Sequence, residues 1–248
     1  ISKIDQLSHQ VKLYFKNEET EDFDYLIISD GVFSHSKNLV LKRQIKPKYY
    51  DSIAIRGSIS STLDNIDNKN ISLFLNSNFH YVIYPVNPNG NLNFVAIAKY
   101  KLTSDVKKDY SLLSKDSFKK KILSKVFDNN QKIFKNLSDV KIFPIFVSSD
   151  FYQIKNNNIH FIGDAFFAYP PSFAQGASQS IENAYDLYKS IENKTEKFFF
   201  AKMVKKAKMI NIRSKFNQFT FHLSNPLAIF VRNIFLKRLV KNKKFLES

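Results

Sequence analysis

The chain is predicted to be a mixed α/β (α+β) protein, a ligand-holding α/β layer interrupted by an antiparallel β-sheet and closed by C-terminal helices. Three observations predict it. Hydrophobic strands end in short turns at Asp30-Gly31 and Gly163-Asp164, alternating apolar segments crowd the middle, and apolar stripes of helical period, interleaved with Lys and Arg, fill the end.

Taken in order, Asp24 to Ile28 lead as a strand into Ser29-Asp30-Gly31. Strand character recurs at 52–60, 71–75, 80–86 and 92–100, with turns at 87–90 and 64–70, which makes an antiparallel sheet. Helical patterns follow at 117–127 and 131–137, then a strand at 140–147, and Asn156-Asn157-Asn158 is a tight turn.

The segment 159–188 is the densest in chemistry. Ile159, Phe161 and Ile162 end a buried strand, and Gly163-Asp164 sets a short acid just beyond it, where a carboxylate accepts hydrogen bonds from a ligand's hydroxyl groups. An Asp in that place also serves simply to cap the next turn. Pro170-Pro171 forces an extended turn. Gln175-Gly176-Ala177 then opens a helix through Ile181, Ala184, Tyr185 and Tyr188, which share one face. The free N–H groups of its first turn favour an electron-rich or anionic ligand edge.

Gly163-Asp164-Ala165, Pro171, Gln175-Gly176-Ala177 and Ile181-Glu182-Asn183-Ala184 together resemble the second flavin-contacting motif of the class A FAD-dependent aromatic hydroxylases, the p-hydroxybenzoate hydroxylase and salicylate hydroxylase family. Ala174 stands where many relatives have Gly. The segment from Asp24 through Asp30-Gly31 to Ser34 and Lys37 resembles the family's internal Asp-Gly motif, with Ser29 for the usual Ala and Lys37 for the usual Arg. A lysine lacks the planar fork that grips a phosphate in two places, which weakens any NAD(P)H contact there. Residues 4–15 with the acidic turn at 18–22 look like the strand pair that precedes the Asp-Gly motif in the family. Residues 79–86 and 92–95 resemble paired strands of the family's substrate domain, with Tyr84-Pro85 a candidate pocket wall.

The resemblance implies a partial Rossmann-like FAD-binding domain with an inserted antiparallel substrate domain. Asp164 would bind the ribityl chain of FAD, and Gln175, Gly176 and Ala177 would face the pyrimidine edge of the isoalloxazine. Gly163, Pro171, Asp30 and Gly31 complete the expected cofactor-binding set, with Ser172 and Phe173 beside the reacting edge. No catalytic side chain is assigned, because the cofactor carries the hard chemistry. The expected domains are 1–40 (FAD-binding), 41–150 (substrate), 151–192 (FAD-binding) and 193–248 (basic helices). Only five glycines occur, and none forms the Gly-x-Gly-x-x-Gly turn that opens such enzymes. A fragment lacking roughly the first hundred residues, the usual size of a dinucleotide-binding half, is therefore expected, with little FAD retention or activity of its own.

Composition sets outer limits. Without cysteine there is no disulfide, thiolate nucleophile or cysteine metal site, and the five scattered histidines lack metal-ligand spacing, so no metal is expected. No apolar run is long enough to span a bilayer and no signal-peptide pattern opens the chain, so a cytoplasmic location is expected. The net charge of +16 invites nucleic acid, but the lysines are spread through every segment, which argues against it. The basic end is different: Val204, Ile210, Ile212 and Phe216, then Phe230, Val231, Ile234, Phe235 and Leu239, alternate with Lys and Arg as in helices packed on the flavin domain or touching anionic lipid.

The expected function is an FAD-dependent monooxygenase using NAD(P)H and O2 to hydroxylate a small aromatic or quinone-like substrate. The alternative is a non-catalytic basic α/β protein that binds nucleic acid or a membrane surface. Flavin absorbance separates the two.

Overall fold

The computed structural model describes residues 1–59, 70–86, 91–127, 136–154 and 158–240. It contains β1 (Lys3–Gln6), β2 (Val11–Tyr14), β3 (Thr20–Phe23), β4 (Leu26–Ile28), α1 (His35–Leu41), β5 (Lys48–Ile59), β6 (Ser72–Leu75), β7 (Phe79–Pro85) and β8 (Leu92–Lys99). Then come α2 (Ser104–Lys108), α3 (Asp116–Phe127), β9 (Leu137–Val147), β10 (Ile159–Phe161), the short α4 (Gly163–Phe166), α5 (Gly176–Glu192), α6 (Glu196–Phe221) and α7 (Pro226–Val240). Two compact units result, one of Ile1–Tyr50 with Phe146–Lys215, the other of Asp51–Ile145 with Phe216–Ser248.

In the first unit β1, β2 and β3 form an antiparallel sheet in that order. The segment expected as a strand pair is thus three strands, because the acidic stretch after the turn pairs back onto β2. Strands β4 and β10 pair in parallel, Leu26 opposite Ile159 and Ile28 opposite Phe161. All three β10 residues are buried, as in a parallel strand covered on both faces. Asn158 sets its start: Nδ2 donates to the carbonyls of His9 (2.9 Å) and Asp24 (2.6 Å), and the Leu26 N–H donates to the Asn158 carbonyl at 2.8 Å. Asp30-Gly31 and Gly163-Asp164 consequently leave the same carboxyl end of this sheet, where α/β sheets hold ligands. Ile28, Phe161, Phe166, Leu187 and Met203 are among the core residues beneath.

In the second unit the order is β6-β7-β8-β5-β9, with β6–β7, β7–β8 and β8–β5 antiparallel. One face buries Ile53, Ile55, Ile83 and Phe94; the Phe127 ring at the end of α3 meets those of Phe79 and Phe94 at 5.0 and 6.2 Å. The opposite face holds a buried polar cluster at the C-terminal end of α6. His80 Nδ1 lies 2.9 Å from His222 Nε2, and Gln218 Nε2 donates to Ser52 Oγ at 3.2 Å. The turn expected at 87–90, all but Asn70 of that at 64–70, and most of the helix expected at 131–137 lie outside the described residues, but Leu137 opens β9 and is strand. Only Asn158 of the expected 156–158 turn is described.

Candidate functional site

The site is built on the two turns past β4 and β10. Gly163 has φ +57, a left-handed conformation suited to glycine, and a Cβ added there would fall 2.8 Å from Ser180 Oγ. Its N–H donates to Asn183 Oδ1 at 3.4 Å, and Ser180 Oγ donates to the Gly176 carbonyl at 3.0 Å. The Gly163-Asp164 turn is therefore pressed onto the first turns of α5.

Asp164 is exposed and makes no hydrogen bond or ion pair among the described residues. Protein packed around the carboxyl group still raises its pKa by desolvation. Tyr169 is its electrostatic neighbour: desolvation, then the Asp164 charge, pushes the phenol up to about 12. Asp164 is thus an acceptor without a hydrogen-bond partner among the described residues, at the end of a parallel strand.

The N-terminus of α5 is open as well. Gln175 occupies the capping position without a side-chain cap, and its Oε1 instead accepts from Ser178 Oγ at 3.2 Å and Gln179 Nε2 at 3.4 Å. Gly176, Ala177 and Ser178 are exposed, and nothing lies within 4 Å of where a Gly176 Cβ would point. A flat ring edge can approach this backbone closely. Pro171 starts a tight 3-10 turn to Phe173, and Ser172 is buried rather than presented to solvent. Ala174, with φ 53 and ψ 25, is left-handed, which explains why glycine suits that position.

The Asp30-Gly31 turn is held differently. Asp30 Oδ2 accepts from the Ser36 N–H at 3.0 Å. Burial alone would raise its pKa, but hydrogen bonds from Ser34 and Ser36 outweigh that and the net shift is down. Asp30 thus braces the start of α1, while Gly31 takes φ +84 with open space beside it. Lys37 is 4% exposed and packs its ammonium 6.0 Å from the Tyr152 ring and 5.9 Å from the Phe161 ring. It is not presented to an incoming dinucleotide.

The structure gives the direction in which the shared face of Ile181, Tyr185 and Tyr188 points, which the sequence left open. The apolar face of α5 points outward, with Ile181 at 73% and Tyr185 at 60% exposed, while Gln179, Asn183 and Leu187 face in. The inward polar residues hold the backbone of the site, as Asn183 does for Gly163. Ser180, and Asn183 of the Ile181-Glu182-Asn183-Ala184 motif, are positioning residues with no role assigned from the sequence; their three-residue spacing, continued by Leu187, is the signal that places them on one face.

No family model and no curated protein matches the chain. Solved structures do. An HpxO variant from Klebsiella pneumoniae complexed with FAD is similar at a TM-score of 0.73 and 15% identity, over 93% of this chain and 61% of that one. A 2,6-dihydroxypyridine-3-hydroxylase from Arthrobacter nicotinovorans gives 0.72 and 16%, over 90% and 65%. A salicylate hydroxylase in a substrate complex gives 0.69 and 17%, over 96% and 65%. The chain has the fold of the class A FAD-dependent hydroxylases. It spans less than two thirds of the length of these neighbours.

Proposed function

We propose that the chain carries part of the FAD site of a monooxygenase that uses NAD(P)H and O2 to hydroxylate a small aromatic or quinone-like substrate. The observation that carries this reading is the Asp164 carboxylate, free of protein partners among the described residues, at the strand end beside the uncapped start of α5. The donor set fits the cofactor: a carboxylate for ribityl hydroxyls, and exposed N–H groups at Gly176 and Ala177 for the electron-rich pyrimidine edge. FAD, when bound, supplies the redox and oxygen chemistry. The chain's own residues bind and orient: Asp164 accepts, Gln175, Gly176 and Ala177 line, Gly163 and Pro171 shape the turns, and Asp30-Gly31 fixes the neighbouring loop.

The test is flavin uptake by the natural full-length product. Yellow protein with substrate-stimulated NAD(P)H oxidation, and an Asp164→Ala variant that binds FAD about tenfold or more weakly, are expected. A colourless product that takes up no added FAD sinks the proposal. The 248-residue chain alone is expected to bind FAD weakly, since it spans so much less than its structural neighbours.

A further inference from the structure

Helix α7 and the C-terminal end of α6 turn apolar faces outward. Along α7, Leu227, Phe230, Val231, Ile234 and Phe235 recur at the spacing of one helical face, and all are exposed, from 42% for Ile234 to 72% for Leu227. The opposite face, with Ile229, Leu236 and Leu239 around Arg232, is partly buried and mostly apolar. A helix with apolar residues on opposite faces belongs in an interior, yet here one face has no cover among the described residues. The C-terminal end of α6 shows the same inversion: Gln218 and His222 are buried while Phe216 and Phe219 are exposed at 62% and 68%. Arg232 joins the helix ends, its guanidinium donating to the Thr220 and Phe221 carbonyls at 3.2 and 3.4 Å.

Charge identifies the cover. No acidic residue occurs between Glu196 and Glu247, and the last turn of α7 ends in exposed Lys237 and Arg238, followed in sequence by Lys241, Lys243 and Lys244. A second copy would bring like charges together. A nucleic acid would want its cations along the aromatic stripe, whereas along α7 the exposed ones, Lys237 and Arg238, gather at its end. Aromatic and aliphatic side chains at helical spacing beside a lysine cluster suit a bilayer interface with anionic headgroups. Among the described residues no helix is long and apolar enough to cross a membrane. We propose that the outward face of α7, with Phe216 and Phe219 of α6, is a docking surface for an anionic lipid bilayer.

Sedimentation of the full chain with vesicles tests this independently of any flavin. Binding to phosphatidylglycerol/phosphatidylcholine vesicles, absent with phosphatidylcholine alone and weakened by salt, is expected. Phe230→Ser/Phe235→Ser should lower the partition coefficient at least about tenfold, and Lys237→Gln/Arg238→Gln by about fivefold per charge, with unchanged circular dichroism. Absence of vesicle binding at low salt overturns the proposal. So does self-association in light scattering that the Phe variants abolish without any vesicle binding, and so does binding to single-stranded oligonucleotide in preference to vesicles.

Discussion

Gly163 and Ser180 are so close that a methyl group on the glycine would sit 2.8 Å from the serine hydroxyl oxygen, although the two residues belong to different turns of the chain. Gly163→Ala therefore adds a left-handed alanine and displaces Ser180 from the Gly176 carbonyl. A loss of about 1–2 kcal/mol in urea denaturation is expected from the backbone alone, with more from the contact. Adding Ser180→Ala should restore the steric share and leave the backbone share, which a double-mutant cycle measures.

Ala174 gives the converse case. Its left-handed backbone costs roughly 1 kcal/mol that glycine avoids, offset by the greater freedom glycine brings to the unfolded chain. Ala174→Gly is expected to stabilise by a net of roughly 0.5 kcal/mol, read as a higher urea midpoint at unchanged slope. A lowered midpoint contradicts this account of the turn.

The His80–His222 pair makes stability depend on pH. Burial, then the His222 charge, holds His80 at about 3; burial, then Lys99, holds His222 at about 4. Above the ordinary value of 6.5 both rings are neutral in the folded and unfolded states and impose no pH dependence. As pH falls from there toward 4, the unfolded chain takes up protons that the folded chain refuses, so stability falls by up to about 1.4 kcal/mol per pH unit for each ring. The fall levels off below the folded values. Urea melts at pH 7, 5.5 and 4.5 should show it, and His80→Gln/His222→Gln should flatten it.

Lys37 is a buried cation whose pKa is lowered by desolvation and partly restored by the Asp30 charge. Lys37→Met keeps an unbranched side chain of similar length and removes that penalty, so the variant is expected to be about 1 kcal/mol more stable at pH 7. Because the folded pKa is depressed, the penalty fades as pH rises through the unfolded value near 10.5, and the two proteins should converge there. Thermal melts at pH 7 and pH 10.5 check both halves.

The strand ends and turns were legible in the sequence because hydrophobic runs stop at Asp30-Gly31 and Gly163-Asp164, and the start of α5 because Gly176 follows a proline turn. The direction each helix faces was not. Helical period locates an apolar stripe at Ile181 and Tyr185 but says nothing of which side meets the core, and here the core side carries Asn183 because a backbone N–H at Gly163 needs an acceptor. The same limit hid Lys37, read as a candidate phosphate contact, which is buried with its ammonium near the Tyr152 and Phe161 rings.

The pairing of Ile28 with Phe161 acts as a ruler. After that last pair one residue intervenes on each chain segment before the acid and glycine, so Asp30 and Gly163 hold corresponding sequence positions past the pairing, as do Gly31 and Asp164, the order on one segment reversed on the other. A one-residue slip of β10 would turn every side chain of that strand to its opposite face and shift one turn against the other. The Asn158 amide, fastened to two carbonyls of other segments, forbids that slip. Length changes in the preceding loop can therefore accumulate without moving the acid, which leaves that loop free to diverge while the ligand-facing end keeps its spacing.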